Sequence, residues 1–308
     1  MEIRSPQTPS GEAPRYTCPY CALKSDGRSG TCPQCGGPVD VRALVSPARW
    51  AEVPGQKGEA KVQFGGSHCR ISGSYVPAVE ADLVAGDGVY FAHHMLLWME
   101  PGLHVGAMSL KGAFKRVLAG MPIVMAEAKG PGRIAFSRDA PGELLALPLQ
   151  PGEAVDVREH LLVFATDAVA YDWFQTDIWY KVQTQRGNDR ETEIHRPLGL
   201  FMDRFSAGSR PGLLVLHASG NVFVRNLAEG QFILVKPTAL LYKDPAVGMQ
   251  LHFEHPATTW SAYGAWTQRY TWLRLQGPGR VALMSAFEPV HGEGGSLVAC
   301  SPATQRQW

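Results

Sequence analysis

Leu149-Gln150-Pro151-Gly152-Glu153-Ala154-Val155-Asp156-Val157-Arg158-Glu159-His160-Leu161-Leu162-Val163-Phe164 is the stretch on which the reading of the fold turns. Leu147, Leu149, Val155 and Val157 alternate with other residues, the period of a strand with one buried face. Gly152-Glu153 breaks the run with turn chemistry, and Leu162-Val163-Phe164 reads as a buried strand ending on an aromatic. A helical period fits poorly. The same pattern stands earlier at Leu83, Gly86, Asp87, Val89, His94, Leu96, Leu97 and Trp98. It returns at Leu227, Gly230, Gln231, Ile233, Thr238, Leu240, Leu241 and Tyr242. No gap interrupts any copy, so one structural unit is present three times. The repeat predicts turns at Gly86, Gly152 and Gly230, with Leu96, Leu162 and Leu240 pointing inward. Asp87, Glu153 and Gln231 are expected at solvent-facing turns.

Two further stretches echo each other. Gly130-Pro131-Gly132-Arg133-Ile134-Ala135 and Gly277-Pro278-Gly279-Arg280-Val281-Ala282 each read as a tight turn opening a strand. With 33 Gly and 23 Pro scattered along 308 residues, long helices have little room, and one helix is expected where Lys111 to Leu118 loses the alternation. The expected class is all-β: a repeated double-stranded β-helix or β-sandwich type domain.

A second signal precedes the repeats. Cys18-Pro19-Tyr20-Cys21 and Cys32-Pro33-Gln34-Cys35-Gly36 form two C-x2-C turns, the donor set of a tetrahedral Zn²⁺ site resembling rubredoxin-type and zinc-ribbon knuckles. Two disulfides, or four free thiols, are the competing readings. Disulfides are rare in a reducing compartment, and paired spacing favours a metal. Four thiolates close the site, so the zinc is expected to be structural, and the knuckle to dock a protein or simply to hold the N-terminus together. The expected division is a knuckle over 1–40, a linker over 41–60, a β-repeat domain over 61–290 and a tail over 291–308.

Composition narrows the function classes. Hydrophobic residues make up 45% of the chain, enough for a sizeable core. Twenty-nine Lys and Arg against 28 Asp and Glu leave a net charge of +1, so no global field pulls the chain toward nucleic acid or anionic membrane. No apolar run approaches the roughly 20 residues a membrane helix needs. The first residues look like neither an export signal nor a transit peptide, and the expectation is a cytoplasmic protein.

The order and spacing of Gly86-Asp87-Gly88-Val89-Tyr90, Lys115-Arg116 to Gly120, Gly130-Pro131-Gly132, Pro151-Gly152-Glu153 and Gly277-Pro278-Gly279-Arg280-Val281 resemble the altered-inheritance-of-mitochondria protein 24 family over Val62 to Phe287. The resemblance implies a fold like the tryptophan RNA-binding attenuation protein and a homotrimer or similar ring. Eukaryotic members are mitochondrial and affect inner-membrane organisation; the start of this chain points instead to a bacterial relative. The family brings no catalytic residues to carry over, and its usual pattern lacks the knuckle.

Candidate chemistry elsewhere is sparse. His93-His94, with His104 and Glu100 nearby, is the best metalloenzyme candidate of a cupin-like kind, but neighbours on a strand face opposite ways and cannot share one metal. Cys69 and Cys300 read as small buried apolar residues. Ser109, Ser137 and Ser285 lie in no nucleophile elbow. Trp260, Tyr263, Trp266, Arg269, Tyr270, Trp272 and Arg274 interleave aromatics with arginines, a pattern for stacking on bases or for packing between repeats. The reading is a non-enzymatic scaffold or regulatory protein that binds other proteins as a homo-oligomer. A single-stranded nucleic-acid binder comes second, and a cupin-like metalloenzyme third.

Overall fold

The computed structural model describes residues 16–25, 27, 29–40, 42, 48–53, 61–108, 125–186, 189–254, 269–290, 296–302 and 305–306. The helix expected at Lys111 to Leu118 lies outside them, as do the Lys115-Arg116 to Gly120 segment, Ser109 and Trp260, Tyr263 and Trp266. Among the described residues the chain is strands, turns and two short 3-10 turns.

A small hairpin comes first, β1 (Tyr16–Thr17) with β2 (Lys24–Ser25), followed by β3 (Ala51–Glu52), β4 (Lys61–Phe64) and β5 (Ser67–Ser72). The first copy then supplies six strands: β6 (Ala78–Leu83), β7 (Gly88–Ala92), β8 (Leu96–Met99), β9 (His104–Ala107), β10 (Met125–Lys129) and β11 (Gly132–Ser137). The second supplies β12 (Glu143–Leu149), β13 (Ala154–Arg158), β14 (Leu162–Thr166) and β15 (Val169–Gln175). A hairpin, β16 (Tyr180–Arg186) and β17 (Asp189–His195), is inserted before β18 (Phe201–Ala207) and β19 (Gly212–Ala218) complete it. The third copy is β20 (Val222–Leu227), β21 (Phe232–Val235), β22 (Leu240–Lys243), β23 (Gly248–Glu254), β24 (Tyr270–Gln276) and β25 (Gly279–Met284). In the expected tail, β26 (Ser296–Cys300) pairs with β16 and β27 (Gln305–Arg306) runs parallel to β23.

All three copies are wired alike. The sixth strand pairs with the first and the third, and the fifth pairs with the second and the fourth. Each copy is therefore two three-stranded half-sheets. The fold also carries the predicted turns. Gly86, Gly152 and Gly230 have φ of 94°, 81° and 75° with open space where a Cβ would stand, so backbone conformation and not crowding selects glycine there. Each is followed by a main-chain hydrogen bond closing the turn, from Asp87 to Val84, Glu153 to Gln150 and Gln231 to Ala228. Leu162 and Leu240 are buried, and Leu96 is half-buried, each against a different apolar layer. Asp87, Glu153 and Gln231 are half-buried rather than solvent-facing, because each makes hydrogen bonds at its turn: Asp87 accepts from Ser67, Glu153 from Gln150, and the Gln231 side chain from Ala228.

Half-sheets of successive copies fuse. The second strand of one copy pairs with the third strand of the next, β7 with β14 and β13 with β22. Four sheets result, headed by β4-β5-β6-β11-β8, then β12-β19-β14-β7-β10-β9, then β15-β18-β13-β22-β25-β20-β3, and finally β21-β24-β23-β27. Three apolar layers lie between them in that order. Val79, Ile134 and Phe136 of the first sheet meet Phe91, Phe164 and Val215 of the second. Leu147 and Leu214 on the other face of the second meet Val155, Val157 and Phe205 of the third. Leu227, Leu240 and Val281 of the third meet Leu251, Leu273 and Leu275 of the fourth.

At the seam between β13 and β22 the layer contains charge. Asp156, fully buried, accepts from Arg204 Nε at 2.6 Å and Lys243 Nζ at 2.8 Å. Burial pulls the Lys243 ammonium below its usual pKa, and the Asp156 carboxylate opposes that pull. Removing one partner of such a pair strands a charge in the core. Asp156→Ala is expected to cost about 3–5 kcal/mol in urea unfolding. Asp156→Leu with Lys243→Met is expected to cost less than Asp156→Ala alone, since Arg204, 42% exposed, can turn to water.

Candidate metal centre

Two copies of one turn build the knuckle. In the first, Ala22 N–H donates to the Cys18 carbonyl at 2.9 Å and Cys18 N–H to the Leu23 carbonyl; in the second, Gly36 donates to Cys32 at 2.9 Å and Cys32 to Gly37. Each turn ends in a left-handed residue, Ala22 at φ 59° and Gly36 at φ 70°. That geometry aims both cysteines of a turn the same way, and the two turns face each other.

The four sulfurs converge. Cys18 Sγ lies 3.7 Å from Cys35 Sγ and Cys21 Sγ 3.6 Å from Cys32 Sγ, and all four are within 4.8 Å of one another. Thiolates at about 2.3 Å from a tetrahedral ion stand about 3.8 Å apart, so the set fits a metal. A disulfide needs about 2.05 Å, and all six cysteines are free. Without a metal the sulfurs hold their protons unequally. Burial, joined by the neighbouring thiols, pushes Cys35 up to about 12. Burial also opposes the Cys32 thiolate, but the amides of Cys35 and Gln34 with the thiols of Cys21 and Cys18 outweigh it and bring Cys32 to about 7. A cation among them removes the conflict.

Little else holds this module together. Its small apolar cluster is centred on the buried Tyr16, Val39, Cys18 and Cys32, and burying an apolar side chain contributes roughly 1.5–3 kcal/mol against roughly 1–2 kcal/mol of backbone entropy per ordered residue. The β domain does grip it. Gln63 N–H donates to the Gly36 carbonyl at 3.3 Å. Arg42, 3% exposed, bonds Asp40 behind it and reaches forward to the Pro148 carbonyl at 2.6 Å and Glu153 at 2.9 Å. Sequence reasoning missed this clamp, because a lone arginine in a stretch expected to link domains carries no motif. In that same stretch β3 pairs with β20.

The other candidates are apart. His93 and His94 sit in a 3-10 turn, His93 to Met95, rather than on a strand, with Leu96 N–H closing on the His93 carbonyl; both are exposed. Glu100 is engaged by Arg133 at 2.7 Å and His104 lies on β9. Among the described residues the four cysteines are the one grouping of His, Cys, Asp and Glu with metal-ligating spacing. At the positions matched to His94 the shared feature is the main-chain carbonyl: that of His160 accepts from Arg138 at 2.7 Å and that of Thr238 from Arg158. Cys69 is fully buried and its thiol is pushed up to about 12 by burial; Cys300 borders the third apolar layer. Arg269 is buried over Tyr180 and Phe253, whereas Tyr270, Trp272 and Arg274 lie on β24.

A family model described as Mitochondrial biogenesis AIM24 matches residues 69–286, which span all three copies but not the four cysteines of the knuckle. The chain belongs to that family. The fold is similar to a solved one: the crystal structure of protein SPYM3_0169 from Streptococcus pyogenes superposes with a TM-score of 0.51 at 15% identity, over 72% of this chain and 94% of that one. No curated protein matches. No described helix is long and apolar enough to cross a membrane. The four converging cysteines lie outside the residues that the family model matches.

The twin turns differ in one respect that can be measured. Ala22 holds a left-handed conformation that glycine adopts freely, so Ala22→Gly is expected to tighten metal binding by about 2–5-fold in chelator competition. Gly36→Ala is expected to weaken it about 10-fold or more, because an added Cβ would also stand 2.7 Å from the Lys61 carbonyl oxygen.

Proposed function

We propose that the protein is a non-enzymatic scaffold that binds other proteins as an oligomer in the cytoplasm, with one structural Zn²⁺ held by Cys18, Cys21, Cys32 and Cys35. The observation that carries this reading is the placement of the knuckle. Four sulfurs at tetrahedral spacing hold a module with almost no apolar core of its own, and Arg42 clamps that module to the turn of the second copy. A closed four-thiolate site leaves no coordination position for water or substrate, which suits a metal that shapes a surface. Zinc is the ion that best suits four thiolates in a reducing compartment.

Metal analysis of protein purified without chelator is expected to give one zinc per chain, and none for Cys18→Ser/Cys35→Ser. Stripping the zinc is expected to unfold the knuckle while leaving the β domain folded, because the three apolar layers do not involve the cysteines of the site. Affinity capture from the native cell is then expected to lose its partners with the cysteine variant; identical partners with and without the knuckle would move the binding surface to the β domain.

A single-stranded nucleic-acid reading rests on a different face. Arg274 lies 4.2 Å over the Phe232 ring, and Lys236 lies 4.8 Å over Trp272 and 5.5 Å over Tyr270, so cations and aromatics interleave on the last sheet. The scaffold reading expects no mobility shift of random-sequence RNA at about 150 mM salt. A salt-sensitive shift abolished by Trp272→Ala would replace it.

A further inference from the structure

The three copies are held in series by one contact used twice. At the first seam Phe91 stands opposite Phe164, Tyr90 opposite Ala165 and Val89 opposite Thr166. At the second, Val157 stands opposite Tyr242 and Asp156 opposite Lys243. The registers are equivalent: Phe91 stands to Gly86 as Val157 stands to Gly152, and Phe164 stands to Gly152 as Tyr242 stands to Gly230. Three copies in series use two of the three second strands and two of the three third strands. The unused pair is β8, the third strand of the first copy, and β21, the second strand of the third.

Both are edges. Among the described residues β8 pairs with β11 alone and β21 with β24 alone, and each ends its sheet. They belong to the first and last sheets of the stack, which share no apolar layer, so the seam is not closed within one chain. Their side chains are nonetheless those of a seam. Positions buried at the inner seams as Val163, Phe164, Leu241 and Tyr242 recur on β8 as Leu97 and Trp98, which are 56% and 40% exposed, followed by Met99 at 45%. On β21, Leu234 is 36% exposed and Phe232 50%. Neither strand carries a charge or a proline, two of the devices by which proteins ordinarily blunt an exposed edge, and the bulge at Leu97 of β8 recurs at Val163 and Leu241 on β14 and β22, the strands that do pair at the inner seams.

We propose that β8 of one chain pairs antiparallel with β21 of a second copy, Trp98 opposite Val235 and Met99 opposite Leu234, so that chains join head to tail through the seam that already joins their repeats. The contact is heterologous, so it builds a ring where the rotation closes and a filament where it does not. It rests on the scaffold reading only for the premise that chains associate, and it identifies the strands that do so.

The test uses the full chain with its zinc. Trp98→Lys blocks β8 and Leu234→Lys blocks β21, both at positions exposed in the single chain, so each variant is expected to keep the thermal midpoint of the unmodified monomer. In sedimentation and native mass spectrometry the unmodified chain is expected at multiples of 33.5 kDa, and each variant alone at 33.5 kDa. An equimolar mixture of the two variants is expected to form one-to-one dimers that grow no further, since one intact β8 and one intact β21 remain. Hydrogen exchange on the unmodified chain needs no variant: amides of 96–99 and of 232–235 are expected to gain protection together as concentration rises. An unmodified chain that stays monomeric overturns the proposal together with the oligomer in the scaffold reading, whose partner binding stands if capture persists. Variants that still assemble, folded variants that fail to combine, or protection confined to one of the two strands overturn it as well.

Discussion

A three-stranded half-sheet leaves a row of main-chain N–H and C=O groups along its outer strand, and in this chain the pairing of those rows holds the architecture together. Antiparallel pairing of β7 with β14 and of β13 with β22 satisfies the groups and merges half-sheets of neighbouring copies into continuous sheets. Every apolar layer depends on it. The leucines of β12 and β19 are covered on both faces only because their sheet continues through β14 and β7 into the preceding copy.

Because the main chain supplies the pairing, the side chains at the seam are free to differ. Tyr90 faces Ala165 at one seam, and Asp156 faces Lys243 at the next, with Arg204 completing a buried charge cluster. A buried ion pair contributes little net stability compared with an apolar pair of the same shape, but it penalises any register that separates its members. The second seam is thus constrained in register by charge and the first by the fit of aromatic rings, Phe91 and Phe164 on neighbouring strands with Phe136 packed against both.

The knuckle follows a different physics. It is too small to fold on apolar burial alone, and its orientation depends on a few polar bonds to the turns of the repeats. Glu153 shows how one residue serves both parts. It closes the turn of the second copy through Gln150 and receives the Arg42 guanidinium from the knuckle side. Burial alone would raise its carboxyl, but the Gln150 amide, Arg42 and Arg280 together lower it.

The triplication, the strand class, the glycine turns and the clustering of four cysteines were all legible in the amino-acid order, because each rests on interactions between residues near in sequence: alternation sets a buried face, a left-handed turn selects glycine, and two C-x2-C turns preset a pair of thiols each. The copies differ where no local rule applies. His93-His94 and Pro237-Thr238 enter 3-10 turns whereas His160 takes a left-handed conformation, though the three positions align. Which half-sheet joins which, and so why Trp98 is exposed when its counterparts Phe164 and Tyr242 are buried, was decided only by the tertiary structure. The same was true of the Arg42 clamp and the Asp156 cluster. Main-chain pairing between copies and ion pairs across distant segments carry no periodicity, so they exist only once the sheets are stacked.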